Sequence, residues 1–342
     1  MKTRRVLVFV STACLAAACG SRTGLLVPSH HDAGEPVDAT EEADVLAEAG
    51  PDVTEEPDVA EEPDAEEEPD AVEEDVFFPP DAPDICPDAG STVIYVVTMD
   101  GLLMSFYPPT ASFTTIGTVN CPDPGGTEPF SMAVSRQGVA YVVYSDGNLF
   151  RVSTKTAQCG PTSFIPNNDG FPTTFGMGFA ADVGDAGMGD EAGETLYLAG
   201  DTMDTMGNSM PVILGSLNTT TFVTHTIGTV PVILSELTGT GGGQLYGFFP
   251  TAQPAPGIPA AIGQIDKTTG QLLSSVTLPA INIEDGWAFA FWGGDFYTFT
   301  APDMADTLVQ RYRPSDGTVV DITTLTGHVV DGAGVSTCAP QM

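Results

Sequence analysis

Five acidic residues recur near the start of comparable apolar segments: Glu128, Asp169, Glu236, Asp285 and Asp331. Carboxylates gathered from distant parts of a chain make an oxygen-rich site of the kind calcium takes up with several ligands. Asp285-Gly286 and Asp331-Gly332 precede such segments, and Asp169-Gly170 lies slightly further ahead of its segment. Asp-Gly is also ordinary turn chemistry, and this plainer reading is preferred. The metal reading is kept for Asp169, Glu236, Asp285 and Asp331, with calcium as the ion. Other chemistry is sparse. There is no Gly-x-Ser-x-Gly nucleophile turn and no His-Glu-x-x-His zinc motif, so no catalytic residue is assigned. The run Gly239-Thr240-Gly241-Gly242-Gly243 leads into the strand-like Gln244–Phe249 rather than a helix, which makes it a turn and not a phosphate loop. His30, His31, His225 and His328 are scattered and read as surface or structural histidines. The acidic, Gly-rich stretch Asp182–Glu194 lacks the EF-hand positions.

The elements that must position these acids follow from a repeat. Tyrosine marks one strand five times, in Ile94–Val97, Ala140–Val143, Leu196–Leu198, Leu245–Phe248 and Phe296–Phe299. Each is followed by a second strand: Leu102–Tyr107, Asn148–Ser153, Pro211–Leu217, Ala260–Asp266 and Leu308–Arg313. A Thr-rich outer strand closes four units, in Phe113–Val119, Phe222–Thr229, Leu272–Leu278 and Val319–Leu325; its counterpart near Ser163–Ile165 is weak. Before each tyrosine strand a further one is expected, at Phe130–Ser135, Thr174–Ala180, Leu234–Thr238, Trp287–Trp292 and Gly334–Cys338. Several of these mix glycine or alanine with larger residues, which suits strands converging on a crowded axis. Alternation puts Trp287, Phe289 and Phe291 on one side, as packing between units requires.

Four short strands repeated at this period describe the blades of a β-propeller. The expected fold is all-β, a propeller of five four-stranded blades, with Gly334–Cys338 completing the first blade and closing the ring. The texture of residues 91–338 resembles the generic propeller repeats of secreted bacterial proteins, of the quinoprotein-like and NHL-like kinds. The WD dipeptide of WD-repeat proteins and the tryptophan-docking motif of true quinoproteins are absent. The chain also resembles the acidic-tether lipoproteins common in myxobacteria, a likeness that implies no particular activity.

Apart from Cys14 and Cys19, four cysteines remain: Cys86, Cys121, Cys159 and Cys338. An even number in an exported chain implies two disulfides, with three possible connectivities. Ring closure pairs Cys86 with Cys338, which flank the chain ends that must meet. Cys121 and Cys159 end consecutive blades and pair with each other. No Cys-x-x-Cys occurs, which disfavours a redox or zinc site.

Residues 1–19 read as an export signal: Lys2, Arg4 and Arg5 precede the apolar Val6–Ala18, which is too short to span a bilayer. Ala16-Ala17-Ala18-Cys19 resembles the lipobox of bacterial lipoproteins, with Leu15 at −4 where that family usually has Leu at −3. The resemblance implies that Cys19 is lipidated and anchors the protein to a membrane. Ser21, in place of the aspartate that retains some lipoproteins at the inner membrane, implies an outer-membrane destination. Residues 20–85 carry Pro51, Pro57, Pro63 and Pro69 at six-residue intervals within Pro-Asp-(Val/Ala)-x-Glu-Glu repeats. Like charge, proline and low hydrophobicity predict an extended, disordered tether rather than a folded unit. Residues 86–342 form the propeller domain.

The net charge is −36, and residues 86–342 contribute −17 from 6 basic and 23 acidic residues. Nucleic acid is disfavoured as a partner, because phosphate binding needs Lys and Arg. Cations and basic partners are compatible. The expected function is a non-enzymatic surface module that binds a protein, glycan or matrix component. The alternatives are a calcium-dependent hydrolase or lactonase-like enzyme built on the acidic mouth, and an envelope protein without a ligand.

Overall fold

The computed structural model describes residues 92–123, 125–182, 193–253, 255–283, 286–302 and 304–342. All of them belong to one of the chain's two units. The other unit, Val27–Pro80, lies outside the described residues, as do Cys19, Cys86 and Asp285.

The described residues form five four-stranded antiparallel sheets. The first contains β1 (Ile94–Thr98), β2 (Leu102–Tyr107) and β3 (Ser112–Thr118). The second is β4 (Pro129–Val134), β5 (Val139–Tyr144), β6 (Leu149–Ser153) and β7 (Cys159–Pro161). The third is β8 (Phe175–Ala181), β9 (Glu194–Met203), β10 (Ser209–Leu217) and β11 (Thr224–Ile233). The fourth is β12 (Glu236–Gly239), β13 (Leu245–Pro250), β14 (Pro259–Ile265) and β15 (Leu272–Asn282). The fifth is β16 (Gly286–Trp292), β17 (Asp295–Ala301), β18 (Thr307–Arg313) and β19 (Thr318–Leu325). The last strand, β20 (Val330–Gly334), returns to pair with β1, so the first sheet has the order β20-β1-β2-β3. This is the expected five-bladed propeller, closed as expected by the C-terminal strand.

The hairpins follow from local chemistry. Trp292 pairs directly with Asp295, leaving a two-residue loop. Gly293 and Gly294 occupy it at φ +62° and +81°, the left-handed conformations that tight hairpins demand.

The inner strands β4, β8, β12, β16 and β20 touch in a closed ring. Neighbours run in the same direction: Gly176 lies beside Ser235 and Glu236, and Gly178 beside Leu237 and Thr238. Likewise Gly332 faces Ser131 and Met132, while Gly334 faces Ala133 and Val134. All five inner strands therefore begin at one end of the axis, called here the leading end.

Between successive blades lie five apolar cores, each fed by two sheets. Ile94, Phe106, Tyr297 and Phe299 join the first and fifth blades, for example, and Phe248, Phe289 and Phe296 join the fourth and fifth. Four of the repeat tyrosines, Tyr141, Tyr197, Tyr246 and Tyr297, are buried in these seams, and Tyr95 packs there half-buried. Trp287, Phe289 and Phe291 share a seam as alternation implies.

Two expected strands move. The closing strand is Val330–Gly334 rather than Gly334–Cys338. Gly332 and Gly334 approach β4 so closely that a Cβ would lie 2.8–2.9 Å from the amide nitrogens of Met132 and Val134. Small residues, not the β-branched Val335 and Thr337, are what this position needs. The segment after Gly334 instead turns, with the Ala339 N–H donating to the Ser336 carbonyl. The second blade's outer strand is the three-residue Cys159–Pro161 rather than a segment near Ser163–Ile165.

Cys121 and Cys159 form a disulfide, as expected, tying the end of the first blade to the outer strand of the second. Cys338 is also disulfide-bonded. Its expected partner, Cys86, lies outside the described residues.

Candidate functional site

At the leading end, Glu236 lies within electrostatic reach of two further carboxylates, Asp201 and Asp331. Glu236 is the first residue of β12 and is buried, with 4% of its surface exposed. Its Oε2 accepts a 2.8 Å hydrogen bond from the Ser131 hydroxyl of β4. Ser131 Oγ in turn accepts the Met177 N–H of β8 at 3.1 Å. β4 and β12 are not neighbours in the ring, because β8 stands between them. The bond can form since Gly176 puts no side chain in the gap; a Cβ there would fall 2.1 Å from the Ser235 carbonyl oxygen.

Asp331 is the second residue of β20, and Asp201 lies near the end of β9. The Asp201 N–H donates to the Thr174 carbonyl at 3.0 Å. Opposite it, the pairing of β9 with β10 slips between Met210 and Ile213, the kind of bulge that re-aims side chains. Asp201 Oδ1 is sealed from solvent and has no hydrogen-bond partner. A buried carboxylate oxygen without a donor is costly, and such groups are uncommon in folded proteins.

The electrostatics of the three are coupled. Burial, followed by the nearby charges of Asp201 and Asp331, holds the Glu236 carboxyl well above the ordinary range despite the Ser131 bond. Burial pushes Asp201 up to about 7. Burial and the charge of Glu128 push Asp331 up to about 7. No Lys, Arg or His forms an ion pair with any of the three among the described residues.

The opposite, trailing end of the axis is built differently. Arg136, in the β4–β5 turn, lies 3.9 Å from Glu194, with both side chains buried. The Arg136 N–H donates to Glu194 Oε1 at 2.7 Å, and its Nε donates to the Thr337 hydroxyl at 2.7 Å. That hydroxyl donates to Glu194 Oε2 at 2.8 Å. The C-terminal segment packs here too, with the Gly293 N–H bonded to the Pro340 carbonyl. The trailing end thus has a satisfied ion pair, whereas Asp201, Glu236 and Asp331 at the leading end have none among the described residues.

Of the acids singled out from sequence, Glu236 and Asp331 lie at the leading end within electrostatic reach of each other, and Glu128 reaches Asp331 in the same way. Asp285 and the Asp169 side chain lie outside what is described. Among the described residues, no three His, Cys, Asp or Glu side chains converge as one metal shell would require. Asp201 was not expected, because it lies near the end of a tyrosine strand rather than at the start of an inner one. A signal existed: Asp100 and Asp146 stand five residues after the repeat tyrosine in the first two blades, and Asp201 four after it in the third. The Gly239–Gly243 run is the expected hairpin turn, with the Thr240 N–H bonded to the Gln244 carbonyl.

No protein-family model matches the chain, and no curated protein matches it by sequence. Solved structures of low identity are similar in fold. A chain from a nidogen/laminin complex is 11% identical, with a TM-score of 0.44, covering 73% of this chain and 100% of that one. TolB from Acinetobacter baumannii is 14% identical, with a TM-score of 0.38; the match covers 70% of this chain and 54% of TolB. Hydrazine synthase from Kuenenia stuttgartiensis is 13% identical, with a TM-score of 0.36, covering 69% of this chain and 67% of that one.

Proposed function

We propose that the chain is an exported lipoprotein, anchored through Cys19 in the outer membrane, that presents its propeller as a non-enzymatic binding module. Its binding site is the acidic mouth at the leading end, which takes up a positively charged group. One observation carries this reading: Asp201 Oδ1 is buried without a hydrogen-bond donor, Glu236 feels the charges of Asp201 and Asp331, and none of the three has an ion pair among the described residues. A bound cation would relieve their mutual repulsion and the desolvation of Asp201 Oδ1, so binding is favoured by what folding leaves uncompensated. The charged group is either a metal ion such as calcium or an organic cation.

A second reading, a calcium-dependent hydrolase or lactonase-like enzyme, draws on Asp201 and Asp331. Carboxyls held at about 7 sit where general acid–base catalysis operates.

The test is the melting temperature of the exported full-length protein with calcium, with chelator, and with agmatine as a guanidinium probe. A ligand at 100 times its dissociation constant adds about 2.7 kcal/mol, a rise of roughly 5 °C or more for a domain of this size. The rise should vanish in a Glu236→Gln/Asp201→Asn variant. No shift with either cation at millimolar concentration overturns the reading. Anchoring is tested separately by labelled-palmitate incorporation, which Cys19→Ser should abolish.

A further inference from the structure

We propose that the leading end docks a protein segment that carries Lys or Arg next to apolar side chains. The basic group enters the axial mouth, and its apolar neighbours meet exposed methionines around it. The inference rests on the reading of the mouth as a cation site and adds the identity of what brings the cation.

Topology supplies the first argument. With every blade antiparallel and the inner strands parallel, the loops between blades and those between second and third strands all lie at the leading end. Among the described residues these loops contain no Lys or Arg, but they carry Asp100, Asp123, Glu128, Asp146 and Asp204 around the central carboxylates. Lys155, Lys267 and Arg313 fall instead at or beside third-to-fourth-strand turns of the trailing end, with Arg136 in the β4–β5 turn there. Apart from His328, which lies 3.3 Å from Asp100, the charged residues described on this face of the propeller are acidic, which steers and orients a cationic partner.

Exposure supplies the second. Nine large apolar side chains are exposed among the described residues. Five of them belong to this face: Ile165 (63%), Met203 (68%), Met206 (82%), Met210 (43%) and Met304 (45%). Met203, Met206 and Met210 share the β9–β10 hairpin, the same strand pair whose register slips opposite Asp201. The hairpin is braced rather than loose, since the Gln253 side chain both accepts the Ser209 N–H and donates to the Ser209 carbonyl. Methionine is flexible and polarisable, and it suits surfaces that accommodate apolar partners of varied shape.

The spread of the carboxylates supplies the third. They are coupled through space but do not converge as one metal shell would require among the described residues. A guanidinium is planar, offers five N–H donors and can bridge separated acceptors. A free cation would use the mouth and leave the methionines idle, whereas a peptide uses both.

The experiment compares two synthetic peptides of equal length and charge, one alternating Arg with Leu and one alternating Arg with Ser, titrated calorimetrically into the exported full-length protein. The Arg–Leu peptide should bind at least tenfold more tightly. Met203→Ser/Met206→Ser/Met210→Ser, at exposed positions that the fold does not need, should erase that advantage and leave the Arg–Ser affinity unchanged. Glu236→Gln/Asp201→Asn should weaken both peptides. Equal affinities in the unaltered protein, or a tenfold advantage that survives in the methionine variant, overturn the docking proposal while leaving the mouth intact as a cation site. Peptide binding that ignores Glu236→Gln/Asp201→Asn overturns the reading of the mouth itself. A mouth that takes calcium and neither peptide overturns the docking proposal.

Discussion

At the scale of single residues, the leading end is governed by what Asp201, Glu236 and Asp331 lack. Each favours the protonated form in the folded chain, because burial penalises the carboxylate first and neighbouring acids add to the penalty for Glu236 and Asp331. A carboxyl with a raised folded-state value contributes full stability below its unfolded value and loses that contribution as pH rises through the folded one. For Asp201 and Asp331 the window runs from 3.8 up to about 7. The melting temperature should therefore fall as pH rises across this range, apart from the opposing trend of ordinary surface acids. Asp331→Asn and Asp201→Asn should flatten the fall and stabilise the protein at pH 8 by about 1–3 kcal/mol, read from urea unfolding. A steeper fall in the variants would contradict the assignment. Gly176 is the other decisive residue. Gly176→Ala puts a methyl group against the Ser235 carbonyl at 2.1 Å and should cost about 3 kcal/mol, because backbone cannot yield as a side-chain tip can.

At the scale of elements, the second blade is the weak member and the Cys121–Cys159 bond compensates. Its outer strand has only three residues, Cys159–Pro161, whereas β11 has 10 and β15 has 11. A short edge strand contributes few ladder bonds, so a covalent tie to the preceding blade holds it in place. The bond closes a loop with a sequence separation of 38, for which chain-entropy arguments give about 4 kcal/mol as an upper value. Cys121→Ser/Cys159→Ser should lower stability by about 2–4 kcal/mol in denaturant melts. Hydrogen exchange should quicken first in β7 and its neighbour β6. Uniform loss of protection over all blades would argue against this local role. The tyrosine strands were legible because each must bury one large side chain in an inter-blade seam. The outer strand of the second blade was not, since three residues around a cysteine carry no periodicity.

At the scale of the whole molecule, closure makes five sheets into one body. Each core is shared by two blades, so no blade buries its apolar face alone. β20 covers the edge of β1 and touches both β16 and β4, completing the ring of inner strands. Truncation after Gly327 removes β20, bares the β1 edge and opens the seam between the first and fifth blades. The truncated chain should lose its cooperative thermal transition by circular dichroism and become protease-sensitive. A transition within 5 °C of the intact protein, an allowance of about 1–2 kcal/mol, would show that closure matters little.

Residue pattern alone determined the all-β class, the five repeats, closure by the C-terminal strand and the Cys121–Cys159 pair, because each rests on periodicity or on chain ends that must meet. It also marked Glu236 and Asp331, since both stand at the start of inner strands. Only tertiary structure decided the closing strand's true span, because the steric limit on β20 comes from β4, about 200 positions away in sequence. It alone brought in Asp201, and also Ser131 and the Arg136–Glu194 pair, whose hydrogen-bond partners lie 46 to 201 residues distant. Burial and mutual repulsion are properties of three-dimensional crowding, and a linear pattern of acids does not contain them.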